Sequence, residues 1–201
     1  MADRLNTQQR HRCMSRILGK NTKPEILVRK GLHARGFRFR LHNKKLPGCP
    51  DIVLPKYGVA IMVNGCFWHG HKGCRYATKP KSNVEFWETK IARNRHRDEV
   101  TTAHLEALGW TVMTIWECEL RNSSQLDDRL NALAEEIRYA GEVKRVKDMN
   151  KRQSRATARR EREELLRKHA ELEAEINSLH PVPKRVKDAS AQLSSYLDNV
   201  L

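Results

Sequence analysis

The chain has 201 residues, and its 39 Lys and Arg against 24 Asp and Glu leave a formal net charge of +15. That length allows one domain of ordinary size plus an appendage, and that charge favours a polyanionic partner, nucleic acid above all, over a merely solvated basic tail. No apolar run approaches the ~20 residues of a membrane span, and the polar start MADRLNTQQRHRCMSR lacks a signal-peptide core, so a cytoplasmic protein is expected.

Residues 1–20 are rich in Arg and Lys and read as a basic N-terminal arm. Thr22-Lys23-Pro24-Glu25 then opens a helix: Thr22 caps it, Pro24 suits the first turn, Glu25 completes a capping box, and Gly36 is the stop signal. Phe37 to Leu41 alternates apolar and basic residues, as a half-exposed strand does. Leu46-Pro47-Gly48-Cys49-Pro50 is a turn. Asp51–Leu54 and Val59–Val63 read as two strands joined at Lys56-Tyr57-Gly58.

After the dense stretch Cys66 to Cys74, a helix is expected over Val84–Leu108, capped by Ser82 with Glu85 three residues on and ended by Gly109. Trp110 to Trp116 reads as a buried strand, and Leu126 to Tyr139 as another helix. This order predicts an α/β domain over residues 21–140, with a mixed central sheet flanked by helices. Residues 141–201 form a charged helical extension. Leu165, Leu172 and Leu179 fall seven apart, so residues 160–180 either pair two chains in a short coiled coil, dock on a partner, or face solvent as a lone charged helix.

Five cysteines are present: Cys13, Cys49, Cys66, Cys74 and Cys118. In a reducing compartment an odd number argues for metal binding or simple burial rather than a disulfide framework. Cys66-x4-His71-x2-Cys74 has the spacing of ligands that wrap one tetrahedral ion. Cys118, just past the Trp110–Trp116 strand, is the best fourth ligand, because neighbouring strand ends bring it to the loop after Val63. Such a Cys3His site is closed and therefore structural. The alternative is buried free thiols beside surface histidines.

Asp51 projects from a strand start, and the main-chain oxygen of Val63 ends the next strand. Together they make a hard-oxygen arrangement suited to magnesium and phosphate chemistry. His69 lies just past that strand end as a candidate acid or base near neutral pH. Each residue has a plainer reading as well. Asp51 could cap a turn, Glu25 could be only the capping-box partner, and Asp98 could be a helix acid paired with Arg95 or Arg97.

Pro47-Gly48-Cys49-Pro50-Asp51, Asn64-Gly65-Cys66-Phe67-Trp68-His69-Gly70-His71, Phe86-Trp87-Glu88-Thr89-Lys90-Ile91, Leu108-Gly109-Trp110 and Trp116-Glu117-Cys118 resemble, in order and spacing over about residues 8–140, the very-short-patch mismatch repair endonucleases. The resemblance implies a PD-(D/E)XK-type nuclease core and magnesium-dependent nicking of one strand, 5′ to the thymine of a T:G mismatch left by deamination of 5-methylcytosine. It implies that Asp51 and the Val63 carbonyl hold magnesium, that His69 acts on the attacking water, and that Glu25 and Asp98 orient metal-bound waters. Cys66, His71, Cys74 and Cys118 would hold a structural zinc ion. Phe67, Trp68 and Trp87 would form an aromatic wedge entering the duplex, with Met14 and Ile17 pressed into the other groove. Trp110 and Trp116 read instead as core.

The chain departs from the textual pattern at Val63, where an acidic ligand would stand, at Asn64 and Lys72, and at Gly73, which lengthens the loop before Cys74. Two other functions fit parts of the sequence: a related nuclease acting on unmatched DNA, which needs no aromatic wedge, and a non-catalytic zinc-stabilised DNA-binding protein, which leaves Asp51, Val63 and His69 unexplained. The setting implied is the bacterial cytoplasm, at the nucleoid.

Overall fold

The computed structural model describes residues 8, 9, 12, 15, 19–78 and 80–179. By internal contacts the chain divides into two compact units between Val146 and Lys147. Among the described residues no helix is long and apolar enough to cross a membrane.

The first helix, α1 (Lys23–Ala34), begins where the capping signal predicts. The Glu25 N–H donates to the Thr22 hydroxyl, and the Glu25 carboxylate accepts from the Thr22 N–H, so two orphan donors are satisfied reciprocally. Past the C-cap at Arg35, Gly36 takes φ +83°, where a side chain would be strained. Val28 and Leu32, four apart, bury one stripe of the helix.

A four-stranded mixed sheet follows, in the order β1 (Arg40–Leu41), β2 (Ile52–Leu54), β3 (Val59–Asn64), β4 (Thr111–Trp116). β1 pairs antiparallel with β2, and β2 antiparallel with β3, while β3 runs parallel to β4. The parallel pair needs a long crossover, and α2 (Val84–Ala107) supplies it. Ile52 faces Ile61 and Leu54 faces Val59 across the ladder, and all four sides join one core with Val28 and Leu32 of α1, Ile115 of β4, and Leu133 and Ile137 of α3 (Ser123–Leu179). Val53 and Ala60 lie one residue out of phase and bury the opposite face. On α2 only Thr101 and Leu105 are buried. Helices therefore cover a mixed sheet, as the sequence predicts.

Four expectations change. The strand expected over Phe37–Leu41 pairs only at Arg40 and Leu41, because β2 is three residues long between Pro50 and Pro55, and prolines break the ladder at both ends. Ser82 does not cap α2. Asn83 is the N-cap, in the left-handed region at φ 49° and with no side-chain bond to the helix. The Trp110–Trp116 strand is not buried: only Ile115 is, because β4 is an edge strand of the sheet. The helix expected to end at Tyr139 continues through Gly141 as one helix to Leu179. Glycine costs a helix only ~1 kcal/mol, and here it lets the backbone pass Tyr57, which a Cβ at Gly141 would meet at 2.6 Å. Met14 and Ile17 lie outside the described residues.

Ile61 is fully buried at the centre of the sheet. Ile61→Ala is expected to lower the unfolding free energy by about 2–5 kcal/mol, read from urea unfolding with an unchanged slope. A loss below ~1 kcal/mol would mean that β3 is not the centre of the core.

Candidate active site and metal centre

Asp51 leads into β2 from a turn in which Gly48 (φ +68°) and Cys49 (φ +52°) are both left-handed. A Cβ at Gly48 would collide with the Thr101 side chain, so only glycine lets this turn press against α2. The Asp51 carboxylate is thereby held over the end of β3, where its Oδ2 accepts the Val63 N–H at 2.8 Å. On a strand the N–H and C=O of one residue share an edge, so the Val63 carbonyl lies on the Asp51 side too.

Burial raises the Asp51 pKa above the ordinary 3.8, and the Glu25 carboxylate adds to the rise; the Val63 N–H, His42 and Arg29 oppose it. Glu25 is 3% exposed and heavily engaged. Its Oε2 accepts from the Asn21 N–H at 3.0 Å and from Arg29 at 2.5 Å, and its Oε1 from the Thr22 hydroxyl at 2.9 Å. The capping-box reading of Glu25 is thus realised in a residue that also borders the site. Arg29 donates to His42 Nε2 at 2.9 Å, which leaves the His42 proton on Nδ1, 3.9 Å from Asp51 Oδ1. Glu25, His42 and Asp51 each present a ligand atom within 4.8 Å of the others.

His69 follows β3 in the loop, and its Nδ1 hydrogen-bonds to Asp98 Oδ2 on α2. Asp98 is therefore no solvated helix acid, although Arg97 also approaches it at 3.6 Å. A carboxylate on Nδ1 fixes the tautomer and makes Nε2 the basic nitrogen. Glu25, Asp51, Val63, Trp68, His69 and Asp98 all line one cleft of about 740 Å³.

The second cluster meets in the same loop. Cys66, His71, Cys74 and Cys118 bring one donor atom each within 4.8 Å of the rest, with His71 Nδ1 3.6 Å from Cys66 Sγ and 3.5 Å from Cys118 Sγ. The loop folds back through the His71 N–H to the Cys66 carbonyl at 2.9 Å. Trp116 stacks on the His71 ring at 4.0 Å and 6° and fixes its plane. Burial pushes the Cys66 thiol up to about 12 and Cys118 upward as well, while the Tyr76 N–H draws Cys74 down. Three sulfurs and one imidazole are a donor set able to hold a soft or borderline metal ion.

Between the clusters lies an aromatic group. Phe67 meets Trp68 and Trp87 edge-on, each with centroids 5.1 Å apart, and Phe86 joins Trp87 at 5.3 Å. Lys90 Nζ stands over Trp68, Phe86 and Trp87 at 5.5–5.6 Å. Phe86 is 58% exposed, so the group reaches solvent and is not core.

The structure thus brings together Asp51, Val63, Glu25, His69 and Asp98 at one cleft, the four Cys and His side chains at one point, and Phe67, Trp68 and Trp87 in one group. Sequence reasoning missed Arg29, His42, Phe86, Lys90 and the place of Trp116. Arg29 and Lys90 had a signal, since each is i+4 from Glu25 or Phe86 on a helix. His42 had none, because only the β1–β2 ladder brings it to Asp51.

Residues 2–75 match the family described as DNA mismatch endonuclease Vsr. The type II nicking enzyme V.XorIIP of Xanthomonas oryzae is 49% identical over 130 residues, 65% of this chain and 95% of that protein. V.NmeAIP, a type II nicking enzyme of Neisseria meningitidis, is 46% identical over 140 residues, 70% of this chain and 99% of that protein. The DNA mismatch endonuclease Vsr of Escherichia coli is 37% identical over 137 residues, 68% of this chain and 86% of that protein.

The raised pKa of Asp51 has a consequence for stability. A folded-state value above the unfolded one gives stability that is full below the unfolded pKa and lost as pH rises through the folded value. Asp51→Asn keeps an acceptor for Val63 but never ionises. It is expected to be more stable than the parent at pH 7 and to lose that advantage as the pH falls below about 3.8. Urea unfolding at both pH values, without added divalent cation, checks this; a parent that is the more stable at pH 7 contradicts it.

Proposed function

Because the chain belongs to the Vsr family of DNA mismatch endonucleases, we propose that it nicks one strand of duplex DNA 5′ to the thymine of a T:G mismatch, in a magnesium-dependent hydrolysis. The observation that supports this most is the meeting of Asp51, Val63 and the His69–Asp98 pair in a cleft whose wall includes Trp68. The working place is the bacterial cytoplasm, at the nucleoid.

A carboxylate that is part-buried beside a second carboxylate gains from a bound cation, so the donor set fits magnesium on Asp51 and the Val63 carbonyl. When bound there, the ion supplies Lewis acidity at the scissile phosphate. His69 takes a proton from the attacking water at Nε2, while Asp98 holds the ring and stabilises the imidazolium. Glu25, locked by Arg29 and the helix cap, keeps a fixed negative charge beside Asp51 and orients water there. His42 steers the Asp51 carboxylate from its other side.

The wedge is Phe67, Trp68 and Trp87. Their faces replace lost base stacking, and a T:G pair is cheaper to open than a matched one. Met14 and Ile17 press the opposite groove. Cys66, His71, Cys74 and Cys118 hold zinc, which ties the loop carrying Phe67, Trp68 and His69 to the end of β4.

Asp51→Ala is expected to abolish nicking of a T:G duplex while binding persists, and His69→Ala to slow it by about 10²–10⁴-fold. Strand scission followed on labelled duplexes with and without magnesium measures both. Undiminished cleavage by Asp51→Ala sinks the mechanism, and equal cutting of matched duplex favours a nuclease of unmatched DNA.

Elemental analysis tests the metal centre. Cys118→Ser is expected to lose the bound zinc and to melt at a lower temperature, whereas Cys49→Ser retains both. Zinc bound equally by parent and Cys118→Ser would overturn the assignment.

A further inference from the structure

The alignments cover 95–99% of V.XorIIP and V.NmeAIP but only 65–70% of this chain. About a third of the chain thus has no counterpart there, and the second compact unit, from Lys147 on, carries a charge pattern of its own. From 147 to 162 it has seven cations, Lys147, Lys151, Arg152, Arg155, Arg159, Arg160 and Arg162, against Asp148 and Glu161. Helical from end to end and exposed throughout, this stretch has no apolar face to bury.

The cations are not scattered. At 3.6 residues per turn, Lys147, Lys151, Arg152, Arg155, Arg159 and Arg162 fall within an arc of roughly 140°. Asp148 is the one acid among them. The opposite side carries Met149, Asn150, Gln153 and Thr157, with Arg160 and Glu161 its only charges, one of each sign. Solvation alone requires no such sorting.

Farther along, residues 163–179 reverse the sign, with five Glu against Arg167 and Lys168. Those acids are largely taken within the helix. Glu163 pairs with Arg159, Glu164 with Lys168, Glu171 with Arg167, and Glu173 approaches His169. Lys151, Arg152, Arg155 and Arg162, by contrast, enter no ion pair among the described residues. Four unpaired cations on one face of a helix suit an anionic surface that extends along the helix axis.

We propose that this face, Lys147 to Arg162, lies along the phosphate backbone of duplex DNA and binds it without reading sequence or mismatch. The face is ~23 Å long at 1.5 Å per residue, and a duplex carries one negative charge per ~1.7 Å of its axis, so phosphates are available along its whole length. A second copy of the chain is the poorer occupant, because most of the acids that would face these cations are already paired. A duplex is the better one, because the same chain is a DNA endonuclease and tethering raises the local concentration of the second contact. The inference rests on that family membership and not on the T:G reading.

The test compares the full chain with the variant Lys151→Gln, Arg152→Gln, Arg155→Gln, Arg162→Gln, all exposed positions where Gln keeps helix propensity. Binding to a matched and to a T:G duplex is measured from 50 to 200 mM salt, with helicity, mass in solution and turnover at saturating DNA. The slope of log K against log salt is expected to become shallower by about 3–4, since each phosphate contact is worth ~0.9. Affinity should fall by the same factor on both duplexes, with helicity and turnover unchanged. A companion variant, Arg152→Lys, Arg155→Lys, Arg162→Lys, should keep the parent slope.

An unchanged slope in the Gln variant overturns the proposal, and so does a parent dimer that the Gln substitutions dissociate. Failure of the mismatch reading would appear separately, as equal cutting of both duplexes by the parent.

Discussion

The two ladders of β3 fix nearly everything at the reactive end of the molecule. On one edge the antiparallel register with β2 sets Ile52 against Ile61, which brings Asp51, one residue earlier, over the Val63 N–H. On the other edge the parallel register sets Asn64 against Trp116. The residues that leave the two strands, Gly65-Cys66 and Glu117-Cys118, therefore start side by side, and Cys66 meets Cys118 with no special device. A shift of one residue in either register would turn every side chain of the shifted strand to the other face and part the cluster that register builds. The buried Val, Ile and Leu of β2 and β3 hold that register, so the core and the site have one cause.

Electrostatics makes the second constraint. A basic chain could neutralise its buried carboxylates by surrounding them with Lys and Arg, but near Asp51 it does not. Arg29 is spent on Glu25 at 2.5 Å, and His42, its Nε2 in contact with Arg29, stands 3.9 Å from Asp51. Asp51 keeps one backbone donor and a net upward push on its pKa. A part-buried carboxylate beside a second carboxylate gains from added positive charge, which is what the magnesium proposed at Asp51 would supply.

How much of this was legible depended on whether the signal was local. The Thr22–Glu25 box, the Gly36 stop and the β2 and β3 strands rest on neighbours in sequence, and all were readable. The Cys66, His71 and Cys74 spacing was readable for the same reason. Cys118 was reachable only by supposing that strand ends lie together, which the parallel β3–β4 pair makes true. Misreadings came where tertiary context overrides composition. Trp110 to Trp116 has the residues of a buried strand, yet an edge position leaves most of it half-exposed and turns Trp116 to stack on His71. Ser82 has the chemistry of a cap, yet Asn83 takes the left-handed turn that starts α2. The pairing of His69 with Asp98 spans 29 residues, and no periodicity in the sequence announces it.

Consecutive residues of the loop after β3 carry different duties, and that arrangement has a physical logic. Cys66 belongs to the Cys and His cluster, Phe67 and Trp68 to the aromatic group, His69 to the cleft, and His71 to the cluster again. A loop this short cannot bury a core of its own, and fixing each residue costs ~1–2 kcal/mol of backbone entropy. A metal ion held by Cys66, His71 and Cys74 would fix the two ends and leave six residues, Phe67 to Gly70 with Lys72 and Gly73, to be ordered by local bonds. Those bonds are present: the His69 N–H reaches the Gly65 carbonyl, and Asn94 of α2 donates to the Trp68 carbonyl at 2.8 Å. With the loop ordered in this way, the proposed roles of His69 and the rings would draw no binding energy for ordering when DNA arrives. Loss of the cluster should then reach the cleft and the aromatic group together, since both hang from the same few peptide bonds.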